Sequence, residues 1–386
     1  MSHIPATFTV IAGELCIAGQ PASHWAAGGT PVFVYDRALI VARIAAVRAA
    51  FPGVELHYAI KANPLPALVE WIGGQVDGLD VASAGELALA AKTRLPVGFA
   101  GPGKRDAELA AAVAAGATVS VESMGELERL ARAGGDRALL RVNPDFELKG
   151  SGMKMGGRGT PFGIDTDQVP GVAARARALG VRIEGFHVYA GSQTLSAPAL
   201  IEAQAATVAL ALDLAARCGI ALRTLNLGGG FGIPYFSADT ALDIAAVGAA
   251  LPRLSGTRVI LELGRYLVGE AGVYLTRVVD VKTSRGTVFL VTDGGMHHQL
   301  AASGNLGTVI RRNYPIANAS RFDAPASASY DVTGCLCTPL DRLGEKVALP
   351  ESKVGDLIAV FMAGAYGASA SPAAFLGHPP AREILA

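Results

Sequence analysis

Eight short β-rich runs, each followed by an Ala/Leu-rich stretch, fill residues 33–265 and limit the possible fold more than any other feature of the chain. The strand candidates are 55–60, 77–82, 97–101, 118–122, 138–143, 183–189, 224–227 and 258–262. The stretches 37–50, 64–73, 84–93, 105–115 and 123–133 carry apolar residues at helical spacing. Strand–helix alternation repeated eight times predicts an α/β fold of the (β/α)8 TIM-barrel type. An open, doubly wound sheet is the alternative arrangement of the same elements. Residues 144–165, rich in Gly, Met and Lys, are expected to loop over the barrel mouth. After residue 270 the runs G-V-Y-L-T-R-V-V-D-V, T-V-F-L-V-T-D, Y-D-V-T-G-C and D-L-I-A-V-F predict a second, β-rich domain, which F-T-V-I and E-L-C-I near the N-terminus join. The expected division is a barrel over 33–270 and a β-rich domain from 1–32 and 271–386.

A chain of 386 residues, 51% hydrophobic and 17% charged, has ample material for a large core. Zero formal net charge without a basic block argues against nucleic acid or an anionic membrane as partner. No apolar run approaches the roughly 18 residues of a membrane span. The start M-S-H-I-P-A-T-F-T-V lacks a basic region followed by an apolar one, so a cytoplasmic location is expected. The four cysteines form no disulfide framework. Cys335 and Cys337 resemble half a metal site, but no His/Cys pair stands at ligand spacing from them, and no metal is expected.

Active sites of such barrels gather at the C-terminal ends of the strands, and the conspicuous polar residues fall there. Lys61 follows the first strand in H-Y-A-I-K-A-N-P. A lysine at the end of a buried strand is poorly solvated and loses its proton more readily. That is the condition for an amine forming a Schiff base with a carbonyl cofactor, although such a lysine is also an ordinary loop residue. Asp80, Ser83 and Glu86 close the second strand, and Arg141 and Asn143 the fifth. His187, Tyr189 and Gly191-Ser192-Gln193 end the sixth. Gly228, Gly229 and Gly230 follow the seventh, and Glu262, Gly264 and Arg265 the eighth. The three glycines are either a flexible turn or a nest of N–H groups for phosphate, with Arg265 and Ser192 placed to complete a phosphate cup. The spacing of a dinucleotide fingerprint is absent. Glu262 can pair with a protonated pyridine nitrogen or form a surface salt bridge with Arg265.

The ordered set H-Y-A-I-K-A-N-P, D-V-A-S-A-G-E, G-S-Q, G-G-G-F-G, E-L-G-R, C-T-P-L-D and G-A-Y-G resembles the fold-type III pyridoxal-phosphate decarboxylases, the diaminopimelate and ornithine decarboxylase family. The stretches R-V-N-P-D-F-E-L-K-G-S-G-M-K-M, D-G-G-M-H-H-Q-L-A-A-S-G-N and G-A-Y-G-A-S-A-S-P are most similar to a subgroup associated with exosortase-type clusters and to enzymes acting on carrier-tethered amino acids. The resemblance implies an alanine-racemase-like barrel with a C-terminal β domain, pyridoxal 5′-phosphate as cofactor and amino-acid α-decarboxylation. It makes Lys61 the Schiff-base lysine and Glu262 the partner of the pyridine nitrogen. Asp80 and Tyr189 join the cofactor site, with Tyr189 stacking on the ring. Ser192, Gly229, Gly230, Gly264, Arg265 and Tyr366 hold the phosphate. It also implies a homodimer with shared sites, Cys337 acting catalytically in the neighbouring subunit's site, with Arg141, Thr338 and Asp341 toward substrate.

Three departures from the family pattern bear on function. Tyr189 replaces a stacking histidine, while His187 is expected on the opposite side of the strand. Leu263 replaces the proline of E-P-G-R. Thr338 stands where diaminopimelate and ornithine enzymes carry an acid that meets the distal ammonium. A buried ammonium without that partner would be penalised by several kcal/mol, on the order of 3–5. The expected substrate is therefore an acidic amino acid, free or tethered to an acyl carrier protein, and Lys149, Lys154 and Arg158 offer cations for it. Alternatives are a diamino-acid decarboxylase, a racemase-like enzyme, which would place arginine rather than Glu262 at the pyridine nitrogen, and a non-catalytic cofactor-binding relative.

Overall fold

The computed structural model describes residues 4–147, 153–154, 159–304 and 312–386. They form two compact units, one from Arg43–Ile233 with Ala241–Gly264, the other from Met1–Ala42, Pro234–Thr240 and Arg265–Ala386. Residues 33–42 and 265–270, expected in the barrel, thus group with the β-rich unit.

In the first unit, eight strands run β1 Glu55–Ala59, β2 Gly78–Val81, β3 Val97–Phe99, β4 Thr118–Val121, β5 Arg137–Asn143, β6 Arg182–Val188, β7 Thr224–Asn226 and β8 Arg258–Leu263. All neighbouring pairs are parallel, β4 pairs with β5, and β8 pairs with β1 through Ile260↔Glu55 to Leu263↔Tyr58, so the sheet closes on itself. The open-sheet alternative is excluded. Buried runs such as Ala138 to Asn143 leave neither face of a strand to solvent, as parallel sheets covered by helices require.

Helices follow the strands as anticipated: α1 Arg37–Ala50, then α2 Pro66–Ile72, α3 Ala84–Ala90, α4 Asp106–Ala114, α5 Met124–Arg132, α6 Val169–Ala178, α7 Ala197–Cys218 and α8 Ile244–Ala250. Helix α7 is long and apolar enough to cross a bilayer. Its buried residues Leu200, Ala203, Thr207, Ala211, Leu214 and Cys218 recur every three or four positions, so it is a core helix laid against the barrel. Gly185 on β6 is needed for close packing, because a Cβ there would collide with the Thr224 carbonyl oxygen of β7. Within the expected loop 144–165, two-residue strands form at Met153–Lys154 and Ile164–Asp165.

The second unit holds β9 Gly272–Ser284, β10 Thr287–Thr292, β11 Ile316–Asn318, β12 Ala328–Thr333, β13 Arg342–Leu349, β14 Leu357–Val360 and β15 Arg382–Leu385. The main path is β11-β14-β9-β10-β12-β13. Val32–Tyr35 pairs antiparallel with β9 and parallel with β15, which ties both ends of the chain into this sheet. The N-terminal runs Thr9–Ile11 and Glu14–Ile17 belong to this unit but pair in a separate three-stranded sheet with Gln20–Pro21.

Candidate active site

The C-terminal rim of the barrel unit is built strand by strand. Strand β1 ends in a single 3-10 turn, Ile60–Ala62, which carries Lys61, and the Tyr58 hydroxyl donates to Asn63 O at 2.9 Å to pin that turn. Gly264 packs against it closely, since a Cβ there would lie 2.8 Å from Ala62 Cβ. The Lys61 ammonium stands 5.8 Å from the centre of the Tyr189 ring, a cation–π approach. Lys61 is exposed in the single chain, so the chain alone does not supply the desolvation expected of a strand-end lysine.

Facing into the barrel are two buried acids, Asp80 from β2 and Glu262 from β8. A Cβ on Gly98 of β3 would lie 3.9 Å from oxygens of both, which fixes their common neighbourhood. Glu262 accepts a hydrogen bond from Asn226 Nδ2, and His187 Nε2 lies 3.3 Å from its other oxygen. Burial pushes Glu262 up, but the His187 and Asn226 contacts, with the Lys61 charge, outweigh it and hold the carboxyl well below the usual range. Burial, and next the Glu262 charge, push Asp80 the other way, well above the ordinary value. One Asp80 oxygen, Oδ1, is buried without a hydrogen-bond partner among the described residues. Of the two alternatives for Glu262, the surface pair with Arg265 is not what forms; the carboxylate sits in a buried constellation with Asn226 and His187.

His187 corrects the sequence expectation. It lies inside the barrel, its Nδ1 3.1 Å from Ser120 Oγ on β4, because residues two apart on a strand share a face and His187 therefore faces as Tyr189 does. Asn226 and Ser120 were not singled out from the sequence, although Asn226 stands only two residues before the glycine run. Its Oδ1 accepts from Gly228 N at 2.8 Å and so shapes that turn. Gly229 is required there, since a Cβ would strike the Glu262 carbonyl oxygen. Ser192 lies in a two-residue strand paired with Met153–Lys154, and Gln193 locks the adjoining turn by accepting from Ile233 N at 3.2 Å.

Arg141, expected to face substrate, is buried in an ion network instead. It donates to Glu122 Oε1 at 2.8 Å, while Lys104 Nζ, also buried, lies 2.5 Å from Glu126 Oε1 and 4.0 Å from Glu122. Ser83 and Glu86 also have local work. Ser83 Oγ accepts from Glu86 N at 3.2 Å as the cap of α3, and Glu86 reaches back to Ala82 N at 2.7 Å.

In the β-rich unit, Arg265 donates to the Tyr235 hydroxyl at 2.5 Å and lies 4.6 Å from the Tyr366 ring centre. Tyr366 has a left-handed backbone, φ 56°, a strained state for a non-glycine residue. Tyr314 packs 4.9 Å from Tyr235 and completes an aromatic frame. Burial opposes the Arg265 charge, yet the surrounding tyrosine hydroxyls keep it firmly protonated. Sequence reading found Arg265 and Tyr366 but missed Tyr235 and Tyr314. Cys337 is exposed, and Thr338 Oγ1 accepts from Leu340 N at 3.3 Å in the turn that follows it. Asp341, expected near substrate, is buried with its carboxylate taken by Met296 N at 2.6 Å and Leu336 N at 2.8 Å, so it shapes the loop that carries Cys337. Lys149, Arg158 and the Lys154 side chain lie outside the described residues.

Residues 37–269 match the family described as pyridoxal-dependent decarboxylase, pyridoxal binding domain. The chain is 39% identical over 379 residues to L-glutamyl-[BtrI acyl-carrier protein] decarboxylase of Niallia circulans, covering 92% of this chain and 88% of that one. It is 35% identical over 365 residues to diaminopimelate decarboxylase of Deinococcus radiodurans, covering 92% and 90%. The crystal structure of AQ1208 from Aquifex aeolicus superposes with a TM-score of 0.87 at 31% identity, over 99% of this chain and 93% of that one.

Proposed function

Because the chain belongs to the pyridoxal-dependent decarboxylases, we propose that it removes the α-carboxylate of an acidic amino acid whose side-chain carboxyl is held as an acyl-carrier-protein thioester. The chain is an amino-acid carboxy-lyase that uses pyridoxal 5′-phosphate. The observation that carries the substrate reading is the near-full-length likeness to a glutamyl-carrier decarboxylase, joined to Thr338 at the position where the family resemblance puts an acid for a distal ammonium.

The barrel residues fit the cofactor. An orphaned Asp80 oxygen beside an ionised Glu262, with Lys61 as the cation in their field, is a donor set suited to a protonated ring nitrogen and a carbonyl carbon. When bound, pyridoxal phosphate supplies the sink for the electron pair that departing CO2 leaves behind. Lys61 holds it covalently through Nζ. Glu262, kept anionic by His187 and Asn226, holds the proton on the ring nitrogen. Tyr189 covers one ring face. Ser192, Gly229, Gly230 and Gly264 offer hydroxyl and backbone donors to the phosphate, and Arg265, framed by Tyr235 and Tyr366, supplies the fixed positive charge. Cys337, exposed on its own chain, serves the site of a second copy, with Thr338 beside it presenting a neutral surface to the substrate's distal end.

Mass spectrometry of products tests the substrate. Incubation of the holoenzyme with glutamyl and aspartyl thioesters of a phosphopantetheinylated carrier should convert them to species lighter by one CO2, while free diaminopimelate and ornithine are left intact. Diaminopimelate decarboxylation is the second reading, favoured by the Deinococcus radiodurans relative. Efficient loss of CO2 from free diaminopimelate, with the thioesters untouched, would establish that reading instead.

A further inference from the structure

Three residues far apart in the sequence converge in the β-rich unit. His297 lies in the turn after β10, Cys335 just beyond β12, and His378 after the short turn Phe375–Gly377. Their ligand atoms all lie within 4.8 Å of one another, and Cys335 Sγ stands 3.9 Å from the His378 ring nitrogens. We propose that His297, Cys335 and His378 form a site for a transition-metal ion of the zinc class, a His2Cys set with one coordination position left open.

The independent sign of a ligand is His297. Its side chain is fully buried, yet neither ring nitrogen has a hydrogen-bond partner among the described residues. An imidazole always carries at least one N–H donor, and in its neutral form one lone pair, so a dry, unpartnered ring is costly. Adjacent His298 does not compete as a ligand. Its Nε2 faces the Pro379 carbonyl at 2.9 Å and its Nδ1 the Tyr274 hydroxyl at 3.2 Å, so it pins the segment that carries His378.

Zinc bonds of about 2.0–2.1 Å to nitrogen and about 2.3 Å to sulfur place tetrahedral ligands roughly 3.3–3.7 Å apart. The present separations, 3.9 Å between Cys335 Sγ and the His378 nitrogens and at most 4.8 Å overall, exceed that spacing by roughly 1 Å or less. His378 and Cys335 are only half-buried, which leaves an entry path to the buried third ligand. Cys335 stands two residues before Cys337, and an ion at this point clips the exposed cysteine's loop to the end of β10 and to the C-terminal segment.

The test is metal content and spectrum of the pyridoxal-phosphate-loaded enzyme, dialysed against chelator, re-equilibrated with Zn2+ or with Co2+ as a visible stand-in, and desalted. About one ion per chain is expected, with the visible bands of tetrahedral Co2+ and a thiolate charge-transfer band. Cys335→Ser and His378→Ala should each weaken binding beyond the roughly 100-fold seen for changes outside a metal's own ligands, while Cys337→Ser keeps it. Both informative positions are half-buried, and circular dichroism of each variant checks that it folds. Should either fail to fold, the thiolate band and its displacement by Zn2+ in the intact enzyme still decide the matter. Less than about a tenth of an equivalent bound, retention in both variants, or loss in Cys337→Ser would overturn the site.

Discussion

Glu262 and Asp80 are two buried acids in one barrel, held at opposite ends of the carboxylate range. Glu262→Gln keeps the shape but cannot hold the ring-nitrogen proton. Cofactor binding, read from absorbance, should persist while kcat falls roughly 100- to 1,000-fold, and a loss of only a few-fold would remove Glu262 from that role. Asp80 behaves oppositely in stability. Its folded value is raised above that of an ordinary carboxyl, so the stability it contributes is complete below the ordinary value and is lost as pH rises through the folded one. In cofactor-free protein, Asp80→Asn should therefore gain stability relative to wild type as pH rises above the ordinary carboxylate range, as read by urea melts. Much of this site was legible because strand-end residues in a barrel converge by construction. Lys61, Asp80, Glu262 and Arg265 could be named from position alone. Tyr235, Tyr314 and Ser120 could not, since isolated residues in P-Y-F, N-Y-P and V-S-V acquire a role only through tertiary neighbours. His187 was legible by strand alternation and was misplaced.

The barrel strands were legible to within a residue or two at their ends because short, buried, largely apolar runs bounded by turns and helical stretches carry a strong local signal. Less visible was a repeat in the connections. V-A-S-A-G-E after β2 and V-E-S-M-G-E after β4 are the same cap used twice, with Ser83 and Ser123 each accepting from the N–H three residues on, and Glu86 and Glu126 each reaching back to the N–H four residues before them. Ser83→Ala and Ser123→Ala should each cost about 1 kcal/mol in denaturant melts. Glu126 does more than its counterpart, since it also neutralises the buried Lys104. Glu126→Ala leaves that ammonium without its nearest carboxylate and should cost about 3–5 kcal/mol. Equal losses at Ser123 and Glu126 would mean that the ion network contributes nothing beyond the cap. The β-rich unit was read less fully. Its last strand, Arg382–Leu385, and the short Ile316–Asn318 have no alternation to announce them and exist because Val32–Tyr35 and β14 offer open edges.

For the whole molecule, the proposal that two copies of the chain share their active sites makes a prediction for mixed subunits. Lys61 stands in the barrel unit and Cys337 in the β-rich unit, exposed on its own chain. With sites completed by a second copy, mixing inactive Lys61→Ala subunits with inactive Cys337→Ala subunits restores activity, because one hybrid site carries both native residues. Random pairing puts one such site in about half of the dimers, and roughly a quarter of wild-type activity is the expected ceiling. No recovery in dimers shown to be mixed would place both residues in the same chain's site.

Lys61 is proposed as the covalent anchor of the cofactor, and borohydride reduction of the purified, pyridoxal-phosphate-loaded enzyme followed by peptide mass mapping decides whether it is. A pyridoxyl group fixed on the peptide containing H-Y-A-I-K-A-N-P, at Lys61, is the result predicted. A pyridoxyl group on any other lysine, or an unmodified Lys61 in enzyme that still decarboxylates, would contradict it.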